Sequence, residues 1–115
     1  MRGSSSRGGS PSREPGLVIG VLVADLLLGD IRSLKDKRGV VRPIVAELRR
    51  RFEVAAAETG AQELYRRAEI SVSTVSGEHG RVLDTLQACE RLLAGRPEVE
   101  LLSSRQRVLD DDDLD

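Results

Sequence analysis

The sequence is short of nearly everything that builds a large core or a reactive centre. Its 115 residues include no Trp, one Phe and one Tyr, so Phe52 and Tyr65 are the whole aromatic complement. The one cysteine, Cys89, excludes an intrachain disulfide framework and suits a reducing compartment. A single histidine, His79, and that single thiol fall short of a metal-ligand set, so no metal or cofactor is expected. Neither has a partner that would activate it: Cys89 reads as core on a helix face, and His79 as a surface residue near a helix start. Glu58, Glu63 and Glu69 lie near one another in sequence, but strand alternation and charge balance around a hairpin account for them. No glycine-rich loop ends in Lys-Ser or Lys-Thr, which excludes a nucleotide cradle of that kind. No catalytic residue is assigned and an enzyme is not expected. No run approaches the roughly 18 apolar residues of a membrane span, so no membrane partner is expected either. An excess of one charge is also lacking, with 18 basic and 19 acidic residues and a net charge of −1.

That near-neutral total conceals an uneven distribution. Residues 1–15 are Gly, Ser, Pro and Arg with almost nothing apolar, a composition that cannot offset its ordering entropy and reads as a disordered, basic segment. Residues 110–115 form an acidic tail of five aspartates that repel one another and favour solvation. The body between them, residues 16–109, is mildly basic and of a length for one domain. Five aspartates on a tether could also fold back over any basic surface and compete there with phosphate.

Within the body, residues 17–28 (LVIGVLVADLLL) form an apolar run that reads as a mid-sheet strand, broken by Gly29-Asp30. Ser33 followed by Asp36 is a capping-box pattern. It opens a helix whose Leu34, Val41, Ile44, Val45, Leu48 and Phe52 share one broad face. Pro43 removes the bond from its own nitrogen to the Gly39 carbonyl, which predicts a kink there or a break near Gly39. Residues 53–58 read as a short strand. Residues 67–75 alternate Ala68, Ile70, Val72 and Thr74 with Glu69, Ser71 and Ser73, a strand with one buried face. Ser76 is placed to cap a second helix carrying Val82, Leu83, Leu86, Cys89 and Leu93 on one side, ended by Gly95-Arg96-Pro97. Residues 98–109 are mixed in polarity, as an edge strand is. The order β-α-β-β-α-β predicts an α+β, ferredoxin-like sandwich, with a four-stranded antiparallel sheet and both helices on one face.

Three stretches resemble the YlxP-like family of small bacterial proteins of unknown function: the opening strand, RSLKDKR at residues 32–38, and QELYRRA at residues 62–68. The resemblance covers essentially the whole body. It implies a ferredoxin-like fold, a bacterial cytoplasmic location and no established activity. The family's genes often lie beside those for transcription elongation, translation initiation and small-subunit maturation, an association that points toward RNA or ribosomal work. This chain departs from the family pattern at Tyr65, where Trp is usual, at Leu27, where a polar residue is common, and at Pro43.

The strongest local signal is basic. Residues 32–51 hold eight Lys and Arg against two acids. Helical projection gathers Lys35, Arg38, Arg42 and Arg49 into one narrow stripe beside the apolar face. Arg32, Lys35, Lys37, Arg38, Arg42 and Arg49 are therefore the candidate nucleic-acid contacts, since a row of cations tracks a phosphate backbone. Tyr65 and Arg67 join them, as an aromatic beside guanidinium groups can stack on an unpaired base. An RNA or a ribosomal subunit is the expected partner. Val21, Val23 and Leu27 should share the uncovered sheet face with Asp25. That apolar strip supports the alternative: an oligomerising interaction module, a homodimer, that binds no nucleic acid.

Overall fold

A computed structural model describes residues 16–114; the segment read as disordered, residues 1–15, lies outside them. The chain begins with β1 (Val18–Leu28), α1 (Leu34–Phe52) and β2 (Ala55–Gly60). It continues through β3 (Arg67–Ser76), α2 (His79–Ala94) and β4 (Val99–Asp110) to a 3₁₀ turn at Asp111–Leu114. The sheet order is β2-β3-β1-β4 and every pairing is antiparallel. This is the ferredoxin-like arrangement, with β1 and β3 at the centre.

Strict alternation along β1 explains its position. Val18, Gly20, Leu22, Ala24, Leu26 and Leu28 are buried, and the residues between them are only partly so. The buried set meets Ala68, Ile70 and Val72 of β3 on the same side of the sheet. Ile44 and Leu48 of α1 and Val82, Leu86, Cys89 and Leu93 of α2 close over it. The fully buried core is therefore aliphatic, and Phe52 packs only at its margin.

Gly20 sets the approach of α2. A Cβ at this position would collide with Cγ1 of Val82 and crowd Leu86, so a residue without a side chain lets the helix lie close over the central strand. Burial also acts on Cys89, whose thiol is pushed up from 9.0 to about 11.

The boundaries depart from the sequence reading in informative places. α1 runs unbroken through Gly39 and Pro43, so no break forms there. Its start is the expected cap: the Asp36 amide donates to Ser33 Oγ at 3.1 Å, and the Asp36 carboxylate accepts from the Arg32 amide at 3.3 Å. The returning bond reaches the residue before the cap rather than the cap itself. Glu53 does not open β2; it ends α1 in a left-handed conformation with φ 55°. Ser76 does not cap α2, whose N-cap is Glu78; Ser76 Oγ instead accepts from the Glu78 amide.

At the other end, β4 continues to Asp110 and the aspartates organise themselves. Asp110 accepts from the amides of Asp112 and Asp113, and Asp111 accepts from the Leu17 amide at 3.2 Å. The tail is thus tied to the β4 edge, whereas α1 packs over β2 at the opposite edge. It does not fold back over the basic helix.

Two outcomes test this packing. Gly20→Ala should lower unfolding stability by about 1–3 kcal/mol in urea titrations, with an unchanged m-value, because Val82 and Leu86 must shift to admit the methyl group. Cys89 should resist aromatic disulfide reagents at pH 8 until the protein unfolds. Its raised value favours the neutral thiol in the folded state, so the stability it contributes is complete below about pH 9 and is lost toward pH 11.

Candidate polyanion interface on the first helix

The basic residues of α1 are sorted by direction, and Lys37 points inward. Its side chain is 2% exposed. Its ammonium donates to Ala61 O at 2.6 Å and Leu64 O at 2.8 Å, and it forms an ion pair with the Glu58 carboxylate at 2.7 Å. Burial of a cation is tolerable only under such compensation. Ala61 takes a left-handed backbone conformation, φ 56°, in the loop that offers this carbonyl. Such a conformation costs a residue with a Cβ roughly 1–2 kcal/mol, which the buried ionic bond offsets. Lys37 is therefore not a nucleic-acid contact. It fastens the β2–β3 loop, residues 61–66, to α1.

Arg49 is also engaged. Its Nε and Nη2 both donate to Ala56 O, at 3.0 and 2.8 Å. Gln62 Nε2 donates to Glu58 O at 3.1 Å. Ala56 and Glu58 lie two residues apart on an edge strand, where every second residue turns its carbonyl away from the neighbouring strand. Arg49 and Gln62 cap them and blunt the edge against pairing with another chain. Arg51 leans on Glu47 and lies 5.6 Å from the Phe52 ring centre, and Arg32 sits 3.7 Å from Asp30 at a fully solvated corner.

Arg50, near the end of α1, is exposed and also lacks an acidic partner among the described residues; Lys35, Arg38 and Arg42 remain. All three are exposed, and none has an acidic partner among the described residues. They surround a notch floored by Gly39 and Pro43. Nothing lies within 4 Å of the place where a Gly39 side chain would stand. Pro43 has no N–H to offer the Gly39 carbonyl, so the notch sets one acceptor lacking its usual helical donor among three cations. Arg38, Arg42 and Arg49 also wall the groove between α1 and β2, above Val41, Val45 and Ala57.

The other two candidates lie elsewhere. Tyr65 is 48% exposed in the β2–β3 loop. Arg67 starts β3 opposite Leu27 and therefore shares the uncovered sheet face, away from α1. Val21, Val23, Asp25 and Leu27 alternate with the buried residues of β1 and share that face, as the strand period requires.

Sequence reasoning missed Arg105 and Arg107. Counting by twos from buried Val99 puts both beneath α2. A bulge at Leu102, between the pairs Leu26 with Leu101 and Asp25 with Ser103, reverses the phase. Ser104 and Gln106 consequently face α2, where both donate to Glu90, and the two arginines face out beside Val23 and Val21. Among the described residues, no group of three His, Cys, Asp or Glu side chains could hold a metal ion. No described helix is long and apolar enough to cross a membrane.

The two segments that carried the resemblance, RSLKDKR and QELYRRA, meet in space through the bond from Lys37 to Leu64 O. Residues 19–106 match the family described as a protein of unknown function, DUF503. The chain belongs to that family. The DUF503 match spans every strand and both helices, apart from the first residue of β1 and the last residues of β4. A curated relative, the uncharacterized protein YlxP of Bacillus subtilis (strain 168), is 27% identical over 88 residues, which cover 76% of this chain and 96% of the relative.

Lys37→Met should cost about 3–5 kcal/mol in urea unfolding, because it strands the Glu58 carboxylate and two loop carbonyls. Adding Glu58→Gln should recover part of that loss. Amide exchange in residues 61–66 should accelerate in the single variant well before global unfolding.

Proposed function

We propose that this protein is a non-enzymatic accessory factor that binds RNA, free or within a ribosomal subunit, through the outward cations of α1. The observation that carries the reading is the notch at Lys35, Arg38 and Arg42: three exposed cations on neighbouring turns with no acidic partner among the described residues. Three charges facing solvent from a rigid helix suit a phosphate backbone, which rewards charge and spacing over base identity. The Gly39 carbonyl, which Pro43 leaves without its usual helical donor, offers an acceptor to a hydroxyl such as the ribose 2′-hydroxyl that DNA lacks. The groove walled by Arg38, Arg42 and Arg49 extends the same surface toward β2. Arg49 contributes as a wall and leaves its carbonyl bond intact. The genomic neighbourhood of the family favours a role beside small-subunit maturation or translation.

Fluorescence anisotropy with a single-stranded RNA of about ten nucleotides tests the site. Three phosphate contacts predict a log–log salt slope near −2 for a single strand. The variant Lys35→Glu/Arg38→Glu/Arg42→Glu should keep its fold, because all three side chains are exposed, and should lose that slope with most of the affinity. Wild-type protein should comigrate with ribosomal subunits in a lysate gradient and the variant should not. Equal RNA binding by the two proteins would refute the assignment.

A further inference from the structure

The sheet face turned away from the helices is neutral as a whole, and beyond an apolar first row of Ile19, Leu109 and Val75 its charges of opposite sign are separated along the strands. Strand register orders its side chains in rows. Arg107 and Ser73 flank Val21, and Arg105 and Ser71 flank Val23. Toward the other end Ser103 and Glu69 flank Asp25, and Glu100 and Arg67 flank Leu27. One half therefore carries two arginines, and the other carries three acids against one arginine. Two of those acids are held in place, Asp25 by Ser103 Oγ at 3.0 Å and Glu69 by Thr59 Oγ1 at 2.7 Å. Neither Arg105 nor Arg107 has a salt-bridge partner among the described residues. In the same rows as the two arginines, on the β2 side, lies a shallow, mostly apolar depression made of Val21, Ala55, Ala57 and the neighbouring small residues of β3.

A polyanion gains little from a face of zero net charge, and aromatic rings for stacking are missing from its rows. A surface with opposite charges in its two halves complements itself when turned end for end. We infer that two copies of this chain pack through these faces about a twofold axis lying across the strands. The strands of the two sheets then run antiparallel, and the Arg105–Arg107 half of each copy covers the Asp25, Glu69 and Glu100 half of the other. The opposite choice, an axis along the strands, would lay β4 over β2 and set the arginines against Ala55 and Ala57 with no acid opposite them, and is disfavoured. Four strands about 4.8 Å apart and about ten residues long offer on the order of 600 Å² per copy. That is below the roughly 800 Å² of a standard interface, which places the dimer in the micromolar range.

Sedimentation equilibrium of the full chain at low salt, from about 5 to about 500 μM, tests this. The wild type should show a reversible monomer–dimer equilibrium that weakens as salt rises. Arg107→Glu should weaken it by about tenfold or more, and the charge-swapped double variant Glu100→Arg/Arg107→Glu should recover most of the loss. Both positions are exposed, and RNA affinity through α1 should be unchanged in both variants, which separates this test from that of the helix site. A monomer across the whole range would overturn the proposal. A dimer indifferent to Arg107→Glu, or a double variant no tighter than the single one, would overturn it as well.

Discussion

One buried ammonium organises this protein. Lys37 lies on the inner side of α1 and joins three oxygens from β2 and the loop after it. Its desolvation is large and is offset only while all three partners stay in place, so the helix, the edge strand and the loop are fixed relative to one another. The same constraint sets the rotation of α1. With Lys37 facing in, successive turns of about 100° per residue direct Lys35, Arg38 and Arg42 away from the sheet.

The seven residues RSLKDKR thus perform three physical tasks. Ser33 and Asp36 cap the helix, Lys37 anchors it, and Lys35 and Arg38 remain for solvent or a ligand. The neighbouring segment QELYRRA supplies the complementary parts: Gln62 covers an outward carbonyl of β2, and Leu64 offers the carbonyl that Lys37 takes. Leu64 and Tyr65 are exposed on a loop that a buried ion pair holds rigid. The two large surfaces are electrostatically different. The outer side of α1 carries an excess of positive charge, as a polyanion site requires. The uncovered sheet face is balanced and segregated, suited to its own copy.

Much of the fold was legible because apolar period and strand chemistry agreed. β1 and β3 alternate without exception through their central residues, and the Ser33 cap and the Gly95 stop are local signals. The misread positions share a cause: each depends on a partner distant in sequence. A break near Gly39 was the alternative to a kink at Pro43, but α1 runs on through both residues with Val41, Ile44, Val45 and Leu48 buried. Lys37 looked like any other cation in a basic run, and only the loop 24 to 27 residues later makes it a core residue. Arg105 and Arg107 were hidden by a single-residue bulge, which no alternation pattern reveals in a strand of mixed polarity. The existence of a basic surface was therefore readable from sequence, and its membership was not.

Among the cations of α1, Lys37 is directed inward as an anchor, and Lys35, Arg38 and Arg42 face outward as the proposed binding row. Side-chain NMR during titration with a short single-stranded RNA observes that division directly, through the arginine Nε–Hε and lysine Nζ signals. The account predicts shifts at Arg38, Arg42 and Lys35, with the Lys37 ammonium signal protected from exchange and unmoved throughout. Shifts confined to Arg105 and Arg107, or a Lys37 signal that exchanges freely and moves with the others, would contradict it.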